Sequence, residues 1–220
     1  MMDLALLVDF LPLFGQAALR TAGLVAVGLA GGLLIGFAMN LARETGWLPL
    51  RALYWGYTAI WRGTPFLIHL FIVYFGLPGV GVRLDPFAAA ACTLAVYGGA
   101  YFAEIFRACW QAVPRGQIEA AQVMGLSRRQ VFLHIECPQA LRASVPLVVN
   151  QTVLLMKESA LASVITYPEL TLTAGRIVSE QFVYLEPYLL LALSYWLMAV
   201  AIGALGERLR KRVALAGGKL

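Results

Sequence analysis

Residues 117–138 read QIEAAQVMGLSRRQVFLHIECP, a polar and basic stretch set between runs apolar enough to cross a bilayer. Local rules shape it strongly. Pro114 and Gly116 break the helix that precedes it, and Gln117 to Met124 supplies about two helical turns. Gly125 stands where a helix C-terminus favours a residue able to take positive φ. Ser127 then reads as a fresh N-cap, Gln130 completes a capping box, and Leu126 with Val131 fits a hydrophobic staple. Pro138 is expected to end this second helix. The pattern predicts a helix–glycine–helix knuckle, which on a membrane protein reads as a docking surface for a soluble partner. The competing account is a loop that merely carries basic charge on one side of a membrane.

Composition sets the class around the knuckle. Of 220 residues, 60% are hydrophobic and 13% charged, and the mean hydropathy is +0.76. That is too apolar for an ordinary soluble domain. The net charge of +5 is no nucleic-acid footprint, because the basic residues sit at the ends of apolar segments. Cys92, Cys109 and Cys137 match neither a disulfide framework nor a zinc spacing and read as free thiols. His69 has no second His or Cys placed with it, so no metal site is expected.

A spanning helix needs ~20 mainly apolar residues, and five segments supply them: 21–42, 52–77, 86–106, 145–165 and 188–205. Residues 1–220 are read as one such bundle. Gly23, Gly28, Gly31, Gly32 and Gly36 give the first span small faces for close packing. The second span is interrupted by Arg62-Gly63-Thr64-Pro65. Either it kinks there, or 52–61 lies at the interface and Thr64, as a cap, starts a short crossing to Val80. Ahead of the first span, Asp3 and Asp9 argue against a cleavable signal, and Pro12 interrupts the apolar run. Leu4 to Leu19 is either an amphipathic surface segment or a loosely ordered lead-in.

Lysine and arginine placement sets the expected orientation. One set of segment ends holds Arg43, Arg51, Arg107, Arg115, Arg128, Arg129, Arg142, Arg208, Arg210, Lys211, Arg212 and Lys219; the opposite set holds Arg20, Arg83 and Arg176. The first set is therefore cytoplasmic. Five spans then put the N-terminus outside, the C-terminus inside and the 107–143 loop in the cytoplasm.

The spacing Glu119-Ala120-Ala121, Gly125, Ile135, Pro138 resembles the cytoplasmic loop of permease subunits of binding-protein-dependent ABC importers. Further strings resemble the polar-amino-acid branch, of histidine, glutamine and arginine type. They are Arg62-Gly63-Thr64-Pro65, Tyr74-Phe75-Gly76-Leu77-Pro78, Ala100 to Arg107, Val113 to Gln117, Pro138 to Arg142, Pro146 with Asn150, Leu155 to Leu161, and Glu169-Leu170. Departures are Cys137, where leucine is usual, Glu158, where aspartate is usual, and Tyr97-Gly98-Gly99, in place of a small polar run.

The resemblance implies an all-α membrane protein, a five-span helical bundle of the type I ABC importer permease kind, in a bacterial plasma membrane. It implies a dimer of ATP-binding cassette ATPases, a second permease subunit (identical or related), an extracytoplasmic amino-acid-binding protein and an amino-acid substrate. No cofactor is implied. The chain itself holds no GxxxxGK[ST] loop, so hydrolysis is expected in a separate subunit. Glu119, Ala120, Ala121, Gly125, Ile135 and Pro138 would couple to that ATPase.

Ionisable residues at membrane depth are costly and mark candidate function. An amino-acid ligand needs a cation for its carboxylate and an acceptor for its ammonium. Arg62, Lys157, Glu104 and Glu158 offer both signs and form the candidate substrate path. Structural accounts compete: Arg107 as a snorkelling partner of Glu104, Lys157 tying helices together, Asn150 and Gln151 as interhelical hydrogen-bonding residues. Trp47, Tyr54, Trp55, Tyr57 and Trp61 read as an interfacial belt, and Tyr184, Tyr188 and Tyr195 as another. A membrane-embedded enzyme built on Glu104 and Glu158, or on His69 with one of them, is the alternative from another class. A proton-coupled carrier is a third reading, weakened by the lack of an internal repeat.

Overall fold

The computed structural model describes residues 4–215; Asp3 and Lys219 lie outside them. Among the described residues every element is helical: α1 Leu4–Glu44, α2 Leu48–Gly63, α3 Phe66–Phe71, α4 Pro86–Gln111, α5 Arg115–Val123, α6 Arg128–Val131, α7 Cys137–Glu158, α8 Leu170–Gln181 and α9 Leu185–Leu215. Short π or 3₁₀ turns extend α3, link α6 to α7, and carry α7 on through Ser159–Ile165. Among the described residues three helices are long and apolar enough to cross a membrane, within Leu6–Glu44, Pro86–Gln111 and Leu185–Arg212. The pair Leu48–Gly63 and Phe66–Val80 makes a fourth if counted as one bent span. The segment expected at 145–165 is no uniform rod, since α7 carries Pro146 and polar side chains and then tightens into a 3₁₀ turn.

α1 runs for 41 residues without a break at Pro12. At 1.5 Å per residue it is ~60 Å long, about twice the hydrocarbon thickness. Leu4 to Leu19 is thus neither a separate surface helix nor a loose lead-in. Phe10, Phe14 and Ala17 are buried in one cluster with Leu170, Ala174, Ile177 and Leu190 of α8 and α9. Pro12 reads as an interruption of the apolar run, but this packing overrides it.

α1 and α4 form the main axis of the bundle. A Cβ on Gly31 would fall 2.7 Å from the Ala95 Cβ, and one on Gly36 would fall 2.7 Å from the Phe102 Cβ and 2.8 Å from the Ala103 nitrogen. Missing side chains bring the two backbones together, as expected for a small-residue face. Gly23 does not share in this, having open space around it. Gly99 belongs to the packing too: a Cβ there would meet the Tyr57 hydroxyl at 2.6 Å. That hydroxyl donates to the Val96 carbonyl at 2.5 Å. The Gly98-Gly99 departure is therefore a packing feature, while Tyr97 beside it carries the polar contact.

The second segment breaks rather than bends. α2 and the Phe66–Val80 helix meet at 104° across Thr64 and Pro65. Thr64 does not cap the new helix; its hydroxyl donates to the Ile60 carbonyl at 2.7 Å and meets His69 Nε2 at 2.6 Å. His69 stacks on Trp61 with ring centroids 4.1 Å apart. The aromatic belt also needs correction. Trp47 and Trp55 are exposed, but Tyr54 is fully buried and bonded to α4. Tyr195 likewise turns inward, donating to Glu169 at 3.0 Å.

Candidate functional site: an exposed knuckle and a polar cluster on α4

α5 ends in a complete Schellman motif. The Leu126 N–H donates to the Ala121 carbonyl and the Gly125 N–H to the Gln122 carbonyl, at 3.1 and 3.0 Å. Gly125 has φ +82°, and a Cβ there would meet nothing within 4 Å. Glycine is required for its dihedral, not for space. Ser127 restarts the chain with the expected capping box: its hydroxyl accepts from the Gln130 N–H, and the Gln130 side chain accepts from the Ser127 N–H at 2.8 Å.

The far end differs from expectation. Pro138 does not stop the second helix, which continues through a π turn, Phe132–Glu136, into α7. A proline has no N–H and collides with the carbonyl four residues back. One wider turn shifts the register so that Pro138 falls in the first turn of α7, where neither demand applies. The knuckle is therefore rigidly joined to α7. Gln139 Nε2 adds a brace, donating to Gln117 Oε1 at 2.6 Å.

Glu119, Ala120 and Gly125 are exposed, Ala121 is buried, and Ile135 and Pro138 are half-buried. Val123 and Met124, which sequence reasoning passed over, are 89% and 80% exposed. Two large apolar side chains held out at a rigid corner form the kind of anchor a protein partner covers. Their signal in the sequence is the apolar pair directly before a C-capping glycine.

The second cluster lies on α4. Glu104 takes a two-point ion pair from Arg107 and accepts from the Tyr54 hydroxyl at 3.0 Å. Arg62 Nη1 lies 3.8 Å from the same carboxylate, and its guanidinium sits over the Tyr101 ring at 5.5 Å. The Tyr101 hydroxyl meets that of Tyr97 at 3.1 Å. The fold thus brings Arg62 and Glu104 together. Glu158 is half-buried and shares no hydrogen bond or ion pair with the cluster. Lys157 stays apart, exposed and with no hydrogen bond or ion pair to a described residue, so it ties no helices together within this chain. Arg107 is held by Glu104 and by Gln111 Oε1 at 2.7 Å rather than reaching freely for water. Tyr101 was missed, and Tyr54 and Tyr97 were read only as a belt residue and as part of a departure from the family pattern. The spacing 97, 101, 104 places three polar groups on one α4 face, which was the available signal.

Among the described residues no group of three metal-ligating side chains converges. The bundle and its knuckle define a membrane transport component. Residues 28–215 match the binding-protein-dependent transport system inner membrane component, and the chain belongs to that family. It is 33% identical over 212 residues to the probable glutamine ABC transporter permease protein GlnM of Bacillus subtilis, covering 96% of this chain and 98% of that protein. The arginine transport system permease protein ArtQ of the same organism is 30% identical, with 96% and 97% covered. A crystal structure of an amino acid ABC transporter with histidines superposes with a TM-score of 0.91 at 32% identity, covering 96% of this chain and 99% of that one. The fold is that of a type I ABC importer permease, and the chain is an inner-membrane, amino-acid permease subunit. Such subunits are not catalytic; the ATPase is a separate chain.

Proposed function

We propose that this permease carries a polar amino acid and is driven through the knuckle formed by α5, Gly125 and α6. Glu119, Ala120, Ala121, Gly125, Ile135 and Pro138 form the coupling surface for an ABC ATPase dimer. Val123 and Met124 supply its apolar anchor. The supporting observation is the rigid, capped and outward-facing corner continuous with α7, because a push on a rigid element is delivered to the bundle rather than absorbed. Five spans run with the N-terminus outside and the C-terminus and 107–143 loop in the cytoplasm, supported by the Lys and Arg asymmetry. A second permease, identical or related, completes the pore, and a binding protein delivers substrate.

Arg62 and Glu104 are the core of the substrate path, with Glu158 further along and Lys157 facing away from the chain's own bundle. Arg62 is only half-engaged by Glu104 at 3.8 Å, which leaves it available to a substrate carboxylate. The relatives named for glutamine and arginine support an amino-acid cargo of this polarity.

Reconstitution with the cognate ATPase and binding protein tests the coupling. Gly125→Val should leave the permease inserted but abolish uptake, while Gly125→Asn, which tolerates positive φ, should keep most of it. Full uptake by Gly125→Val would overturn the reading.

A further inference from the structure

His69 on α3 is 6% exposed and belongs to neither the coupling surface nor the substrate path. Its Nε2 lies 2.6 Å from the Thr64 hydroxyl, whose one hydrogen goes to the Ile60 carbonyl at 2.7 Å. Thr64 therefore accepts, and Nε2 carries the proton. Nδ1 is left with its lone pair, shut off from solvent and with no hydrogen-bond partner among the described residues. His69 thus presents no free polar atom to a ligand and acts only through its neighbours. Those neighbours bracket Arg62. The imidazole stacks on Trp61 with ring centroids 4.1 Å apart, and its bond to Thr64 ties down the residue two places beyond Arg62.

The same ring lies 6.1 Å from Tyr97 of α4, centroid to centroid. The Tyr97 hydroxyl meets that of Tyr101, and the Arg62 guanidinium sits over the Tyr101 ring. The contacts close a circuit from Arg62 through Tyr101, Tyr97 and His69 and back by way of Trp61 and Thr64. Within it Arg62 Nη1 stands 3.8 Å from Glu104, well beyond the ~2.8 Å of a charge-assisted hydrogen bond. Glu104 is already engaged by Arg107 and Tyr54. We infer that His69 is a positioning residue for Arg62. From across the break it pins Trp61 and Thr64, which keeps the guanidinium on Tyr101, off Glu104 and open to a substrate carboxylate. Without the bond from Nε2 to Thr64 the last turn of α2 is free to turn, Arg62 closes on Glu104, and a substrate must compete with that ion pair. The inference rests on the reading of Arg62 as a substrate contact.

Equilibrium binding to the purified permease–ATPase complex tests it, the probe being the radiolabelled amino acid that the parent chain takes up in proteoliposomes. Arg62→Ala should weaken binding about tenfold, as loss of one charge-assisted contact does. His69→Phe keeps an aromatic ring on Trp61 but has no N–H, and Thr64→Val keeps the shape but has no acceptor. Each should weaken binding by a similar factor. His69→Gln places an amide N–H at the reach of Nε2 and should stay within about threefold of the parent. In the Arg62→Ala background, His69→Phe and Thr64→Val should add nothing, because all act through one group. A residue that merely packs would give the reverse order, with Phe tolerated and Gln harmful, and that order overturns the inference. So does parent-like binding by His69→Phe and Thr64→Val, or an equal further loss when either joins Arg62→Ala. No binding by the parent complex, or none lost in Arg62→Ala, overturns the substrate role of Arg62 and this inference with it. Should His69→Phe fail to fold by circular dichroism, Thr64→Val decides.

Discussion

Gly36 and Gly125 are the same residue used for opposite reasons. At Gly36 the backbone is ordinary helix and a neighbouring helix fills the space where a side chain would go; at Gly125 the space is empty and the dihedral is unusual. The α1–α4 seam is therefore protected by sterics, and the knuckle by local chain geometry. Damage to the first should show as loss of the folded chain. Damage to the second should spare the bundle and appear in transport.

The sharpest way to break this contrast is at the seam. Gly36→Leu forces a Cβ against the Ala103 backbone nitrogen at 2.8 Å, where no rotamer change can yield. A loss of about 3 kcal/mol or more is expected, at the severe end for overpacking. Detergent-solubilised yield and thermal stability would report it. Gly125→Val comes next: about 1–2 kcal/mol of local backbone strain, with the melting temperature little changed while uptake is lost. If both variants melt alike, the distinction fails. Ser127→Ala removes the cap of α6 and should cost about 1 kcal/mol locally, read as faster amide exchange across 127–131 with the α4 amides unaffected.

The smallest effect concerns Glu169, the cap of α8. It is fully buried, accepts from the Thr171 and Leu172 N–H groups at 2.7 Å, and burial pushes its carboxyl above the ordinary carboxylate range. A raised folded value means that its contribution to stability is fully present below the unfolded pKa and lost as pH rises through the folded one. Glu169→Gln should flatten the fall in melting temperature between the ordinary carboxylate range and neutral pH. An unchanged slope would show that the capping bonds offset the burial.

Legibility in the sequence followed the range of the interactions. The knuckle was readable because caps, Schellman glycines and capping boxes are settled within six residues. The interruption at Arg62 to Pro65 was readable, but the choice between a kink and a break was not, since it depends on His69 stacking on Trp61 and on the aromatic packing around Tyr97. The continuity of α1 was hidden because Pro12 signals a stop that burial of Phe10 and Phe14 against α8 and α9 overrules. Pro138 misled for a related reason, since a π turn can absorb a proline and leaves no composition signal. At the α4 cluster, Glu104 with Arg107 was visible as a three-residue spacing. Tyr54 was not, because its partner lies 50 positions away.

The central claim, that the corner at Gly125 is gripped from the cytoplasm by a separate ATPase, is tested most directly by a photoreactive benzoylphenylalanine at Val123. In inverted membrane vesicles containing the cognate ATPase, irradiation should give an adduct of permease and ATPase. An absent adduct in transport-competent vesicles, or labelling of a cysteine at the same position by an impermeant reagent from the extracytoplasmic face, would contradict it.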